Sequence, residues 1–178
     1  NYSRMSFSQG AGFSSTFNTT GATASWNHSF SKRFSGTVTG GATVFSPGGN
    51  LTYLGGLTLV WHEQNTDSTF TYSRSVFPSF FIAAVPLISD VVSVSILHRF
   101  TDKFSGSITG NYGKNESIEG PKISFDSYGG IGSLNYAITK RMRASLSYTH
   151  MVTKNVFLDQ NFNFDRQALS LFLTYEWR

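Results

Sequence analysis

Four histidines, His28, His62, His98 and His150, are the side chains best suited to move a proton or hold a metal. Their spacing serves neither purpose. Metal sites need convergent donors, and no H-x-H or H-x-x-x-H pair occurs. Cysteine is absent, so there is no disulfide framework and no thiolate site. A Ser–His–carboxylate triad assembles in space, not in sequence. With 26 serines, chance proximity of one to a histidine carries no information. No G-x-S-x-G elbow, phosphate loop or EF-hand pattern appears. The run Gly129-Gly130-Ile131-Gly132 lies inside a strand pattern and reads as relief of crowding. His28 and His98 each stand two residues before a turn-flanking phenylalanine, where a polar aromatic suits an interface. The expectation is no enzyme, no metal and no cofactor.

Composition narrows the class. The chain has 178 residues, 14 basic and 10 acidic side chains and a net charge of +4, which suits one domain over 1–178. Charged residues make up 13%, against about 25% in ordinary soluble domains. Ser (26) and Thr (18) fill a quarter of the chain, and aromatics reach 16%. Disordered chains lack such aromatics. A charge of +4 without a basic, aromatic-interleaved run does not suggest nucleic acid. The longest apolar run, Phe80 to Ile88, is broken by Pro86 and is far short of the roughly 20 residues of a spanning helix. The chain opens Asn1-Tyr2-Ser3-Arg4 with neither Met nor an apolar leader, and reads as a processed chain or a fragment.

A repeat organises the rest. Phe30-Ser31-Lys32-Arg33-Phe34-Ser35-Gly36 returns as Phe100-Thr101-Asp102-Lys103-Phe104-Ser105-Gly106, and more weakly as Ile138-Thr139-Lys140-Arg141-Met142-Arg143-Ala144. With the polar break Gln64 to Ser68, turns centre near 32, 66, 102 and 140, a period of about 36. Residues flanking each turn alternate strictly. Leu169, Leu171, Leu173, Tyr175 and Trp177 share one face of the last strand, while Ala168, Ser170, Phe172, Thr174 and Glu176 share the other. Period two marks a strand between two environments. Ten strands follow, at about 2–13, 20–30, 34–46, 51–63, 68–77, 88–100, 104–113, 123–138, 142–152 and 165–178. Connections near 47–50, 78–87, 114–122 and 153–164 look longer than the turns at the other end.

The two faces differ in kind. One is apolar and carries aromatic residues near the short turns: Phe30, Phe34, Trp61, Phe70, Phe100, Phe104, Tyr136, Tyr175 and Trp177. Rings at one depth on successive strands form an interfacial girdle. The other face is Ser, Thr, Asn and Gly. That is a poor water-facing surface but an ordinary wall for a polar lumen. The expected fold is all-β, an antiparallel up-and-down transmembrane β-barrel of about ten strands, alone or as part of a wider barrel.

On these features the chain resembles bacterial outer-membrane β-barrel proteins of the porin-like type. The closing segment from Leu169 to Trp177 is similar to the C-terminal strand read by the barrel assembly machinery, although Arg178 follows the aromatic. Tyr72-Ser73-Arg74-Ser75 and Phe164-Asp165-Arg166-Gln167-Ala168-Leu169-Ser170 resemble patches of barrel porins found beside exopolysaccharide export systems. The resemblance implies a bacterial outer-membrane location, with both termini on the periplasmic side. It also implies the lipid bilayer as partner, with other subunits of an export or envelope complex as further candidates.

A ten-stranded barrel has a narrow interior that side chains must largely fill. Here the inward residues are mostly small, which leaves room for a channel passing or exporting polar solute or polymer. Arg99, Arg143, Arg166 and Glu176 are the charged lumen candidates, and the arginines favour anions. Local pairing of each arginine is the competing expectation. Phe45, Phe125 and Phe172 are the large residues able to fill a narrow barrel. The alternatives are a structural or partner-binding barrel without its own pore, and an outer-membrane lipid-modifying enzyme. The apolar stretch Phe77 to Leu87 either enters the mouth, meets lipid or a partner, or extends its strands with bends at Pro78 and Pro86. Arg74, on the apolar face, is expected to snorkel to the interface.

Overall fold

A strand leaves a row of N–H and C=O groups that must find partners, and the simplest partner is the next strand across a tight turn. The computed structural model describes residues 2–9, 13–46, 49–78, 86–118, 123–157 and 160–177, with side chains from residue 18 onward except 45–46, 78 and 157. Ten strands form one sheet in chain order: β1 (Tyr2–Gln9), β2 (Phe13–Ser29), β3 (Phe34–Ser46), β4 (Leu51–His62), β5 (Thr66–Pro78), β6 (Pro86–Arg99), β7 (Phe104–Ser117), β8 (Ile123–Ala137), β9 (Met142–Phe157) and β10 (Gln160–Tyr175). Each strand pairs antiparallel with its sequence neighbour. Among the described residues no helix occurs.

The repeated turns are built alike. Ser31 Oγ accepts the N–H of Arg33 at 3.1 Å and of Phe34 at 3.0 Å. Thr101 Oγ1 accepts those of Lys103 and Phe104 at 3.3 and 3.0 Å, and Thr139 Oγ1 accepts that of Arg141 at 3.2 Å. The hydroxyl at this position substitutes for a ladder acceptor and fixes the reversal. The turn at 64–65 instead closes through paired backbone bonds between Glu63 and Thr66, at 2.8 and 3.2 Å.

The registers give the stagger. The row that leaves the end of β2 at Ser29 runs through Ser35, Val60, Thr69, Ser95, Thr109, Ile131 and Thr149 to Ala168. Ala168 lies seven residues before the end of β10 at Tyr175. Seven residues over eight pairings, at ~3.4 Å per residue and ~4.8 Å per strand, correspond to a tilt of roughly 30°. That is close to the tilt a closing barrel requires.

The glycines show which way the sheet curls. On the polar face a Cβ at Gly129 would lie 2.6 Å from the His150 carbonyl oxygen, and one at Gly41 would collide with Ala22 and Thr23. On the apolar face a Cβ at Gly40, Gly110 or Gly132 would meet nothing within 4 Å. Side chains crowd on the inside of a bend and splay on the outside, so the polar face is concave and the apolar face convex.

Three expectations are corrected. β1 ends at Gln9 and β2 begins at Phe13, where strands over 2–13 and from 20 are expected, because Phe17 is the one apolar residue from Ser14 to Thr20 and marks no alternation, while the threonines suit a pleat. β7, β9 and β10 run to Ser117, Phe157 and from Gln160, well beyond the expected ends. Only residues 158–159 therefore separate β9 from β10, so the connection expected over 153–164 is mostly strand. β5 and β6 extend to Pro78 and Pro86, which face each other in register. The rest of the apolar stretch, residues 79–85, lies outside the described residues.

Candidate functional site: a polar concave face behind an aromatic-rimmed convex face

Parity places every charged lumen candidate on the concave face. The ends of β6 to β10 enclose a cavity of about 1020 Å³, whose lining includes Arg99, Ser105, Asn135, Arg143, Ser145 and Glu176. Arg99 donates from Nη2 to Asp67 Oδ2 at 2.9 Å, and Asp67 Oδ1 meets His62 Nδ1 at 2.8 Å. The local-pairing alternative therefore describes Arg99. Arg143 and Glu176 line the same cavity, but among the described residues neither side chain has an ion-pair partner. Arg166 stands higher on β10 opposite Met151, exposed, and is not brought to the cavity.

Hydroxyl rows cover much of the remaining wall. Ser25 bonds Thr39 at 2.9 Å, Ser95 bonds Thr109 at 3.0 Å, and Ser145 donates to Asn135 at 2.7 Å. Thr19, Thr23, Thr39, Thr43, Leu54 and Ser75 help line a second cavity of about 350 Å³. A buried apolar cluster sits at the opposite end. Leu87 and Ile123 are the fully buried hydrophobic side chains among the described residues, and Phe125 packs on them. Of the expected lumen fillers, Phe125 thus has inward packing, Phe172 is 59% exposed, and the Phe45 side chain lies outside the described residues.

The convex face gathers the expected rings. Phe30 stacks on Phe34 with centroids 5.1 Å apart, and Phe34 meets Trp61 at 5.7 Å. Phe100 stacks on Phe104 at 5.0 Å, and Tyr175 meets Trp177 edge-on at 4.8 Å. Phe104 faces Tyr136 in register, while Phe70 lies one step higher, between Leu59 and Val94. The rings of Phe30 and Phe100 close over Gly36 and Gly106. A side chain at either glycine would displace that ring. His28 and His98 stand edge-on to Phe30 and Phe100, each at 4.8 Å. His98 Nδ1 also bonds Thr66 Oγ1 at 2.8 Å.

The sequence reading missed a charge ladder on this same face. Arg74, Asp90, Lys114, Asp126 and Lys154 stand opposite one another in register on five successive strands, with alternating sign. Arg74 Nη1 lies 3.3 Å from Asp90 Oδ2, and Asp90 Oδ1 accepts the Tyr72 hydroxyl at 2.8 Å. Lys114 pairs with Glu116 at 2.7 Å. On β9 and β10, His150 meets Asp165 at 3.0 Å. These residues lie far apart in sequence, so no local motif links them. Counting from each turn does: Lys114 is ten residues from Phe104, and Asp126 is ten from Tyr136. Arg74 is thus tied to a carboxylate partner. Among the described residues no serine hydroxyl hydrogen-bonds to His62 or His150.

No family model, curated protein or solved structure matches this chain.

Proposed function

We propose that the chain forms the wall of an outer-membrane-type β-barrel whose concave face lines a passage for polar solute or polymer. The observation that carries this reading is the inverted burial. A water-soluble sheet buries its apolar face, yet here Trp61, Ile108, Leu134, Leu146, Leu169 and Leu171 are 42–75% exposed on the convex side. Such a surface in water would be a large aggregation patch. In a bilayer it is the lipid-facing band.

Its height supports the same reading. Phe104 and Tyr112 are eight residues apart on β7, which at ~3.4 Å per residue and a tilt of roughly 30° is about 23 Å. The apolar band of such barrels is about 25 Å tall, with aromatic girdles on both sides. Tyr72, Tyr112 and Tyr128 supply the second girdle, and the charge ladder begins one step beyond it. This reading assigns no reaction and no cofactor.

A second reading rests on the edges. Among the described residues β10 has only β9 as a ladder partner, and Gly21–Ser29 of β2 pair only with β3. Open edges are not tolerated in hydrocarbon, so the wall either closes on itself or is completed by further chains.

Single-channel conductance of the purified chain in a planar bilayer tests both. A steady, anion-preferring conductance that falls in Arg143→Gln supports the passage. Conductance rising as a power of protein concentration supports a wall shared between chains. An inserted but silent chain would overturn the channel and leave a structural or partner-binding barrel.

A further inference from the structure

The charge of the chain is not spread evenly along the strands. The turns at 30–33, 100–103 and 138–141 carry Lys32, Arg33, Lys103, Lys140 and Arg141, all exposed. Arg99 and Arg143 add two more cations at the adjoining strand ends. The acids at this end are Glu63, Asp67, Asp102 and Glu176, which leaves an excess of three positive charges out of a net +4. At the other end the described strands β5 to β10 balance. Arg74, Lys114, Lys154 and Arg166 stand against Asp90, Glu116, Asp126 and Asp165. Among the described residues one rim is therefore basic and the other neutral.

The basic rim lies just beyond the rings. Lys32 and Arg33 sit between the stacked Phe30 and Phe34, and Lys103 sits between Phe100 and Phe104. Rings of this kind settle at the boundary between hydrocarbon and headgroups. Cations one or two residues further, about 3–7 Å along the chain, reach the depth of the phosphates. Their aliphatic stems can lie along the rings while the charge stays in the polar layer. The cavity behind them is less basic than the rim. Its lining sets Arg99, Lys103 and Arg143 against Asp102 and Glu176, and Arg99 is paired with Asp67.

Resting on the membrane reading above, we infer that the short-turn rim is a docking surface for anionic phospholipid headgroups. It selects negatively charged lipid in the leaflet that the short turns face. The opposite, charge-balanced rim makes no such selection. The attraction is electrostatic, about 1 kcal/mol per cation near the surface, and fades within a Debye length.

Of the three tryptophans of the chain, Trp26 and Trp61 lie on the strand halves nearest this rim and Trp177 lies two residues past the end of β10, so their fluorescence reports the lipid there. The experiment reconstitutes the full chain in mixed vesicles of zwitterionic phosphatidylcholine and anionic phosphatidylglycerol, with one or the other brominated. Brominated anionic lipid should quench with about 5-fold preference at low salt, falling towards 1-fold at ~0.5 M salt. The combined variant K32Q, R33Q, K140Q and R141Q should lose most of that preference. Its strand circular dichroism should match the parent, since all four side chains are exposed turn residues. Equal quenching by both lipids, or a preference untouched by the combined variant, would overturn the inference alone. A preference abolished by Arg143→Gln instead would place the anion in the concave cavity, as for a polyanionic solute, and also overturn it. Quenching by neither lipid would defeat the membrane reading itself, and this inference with it.

Discussion

The hairpin units β2–β4 and β6–β8 share one design up to two-thirds of their height and then part. Each starts from a histidine beside a phenylalanine, a hydroxyl-capped turn, a second phenylalanine and a glycine under the first ring. Six residues above Phe34, Gly40 faces Gly55 across the ladder. Six above Phe104, Gly110 faces Gly130. Ten residues above, the agreement ends. Val44 faces Leu51 in the first unit, but Lys114 faces Asp126 in the second. On the proposed membrane reading, the shared part is what an interface at fixed depth requires. The divergent part lies where each sector of the wall meets its own surroundings. Val44, Leu51 and the nearby Tyr53 are 39–69% exposed, so the apolar band stands higher on the β3–β4 side.

The largest effect should come from the bend glycines, which the two units place on different strands, Gly41 on β3 and Gly129 on β8. Gly41→Val and Gly129→Val should each cost about 3 kcal/mol, because the new side chain meets a neighbouring backbone that can only shift. Gly40→Val and Gly132→Val, on the open side of the same strands, should stay within about 0.5 kcal/mol. Denaturant midpoints of the chain folded in detergent separate these outcomes. Similar losses in both pairs would mean that the two faces are equally crowded and that the inferred curvature is wrong.

An intermediate effect should follow ring removal. Phe30→Ala and Phe100→Ala should each lose about 1.5 kcal/mol. Phe30 should lose slightly more, since Trp26 also meets it, at 6.4 Å. Thermal midpoints of the two variants compare the units directly, and a large inequality would show that the repeat is one of sequence only. The smallest effect should come from making the second unit resemble the first. Lys114→Val with Asp126→Leu should leave the fold intact and shift optimal refolding towards longer acyl chains, by fractions of a kcal/mol per Å of mismatch. Refolding yield across a lipid-length series measures it. No shift would detach the ladder from the lipid boundary.

Much of this was legible in the sequence where two environments impose two parities. The turns at 30–33, 100–103 and 138–141 and the rings beside them follow from the repeated segment and the alternation that flanks it. The first half of β2 is not legible in this way, because Phe17 alone among Ser14 to Thr20 is apolar and one ring sets no period. Of the charged candidates, Arg99, Arg143 and Glu176 meet at one cavity, whereas Arg166 lies on the same face but away from it. The pairing of His62 with Asp67 is not legible in the sequence, because it follows only once Glu63 and Thr66 are known to close the turn. The ladder needed registers across five strands, a quantity that no local window contains.

The order of the strands has one more consequence. Each strand pairs only with its predecessor and its successor, so every loop closed during assembly is short and costs little chain entropy. The sheet can grow like a zipper, one hairpin at a time, without waiting for a distant segment to arrive. A break in the chain between two hairpins would then leave two pieces, each with its internal pairings complete, able to rejoin along a single ladder.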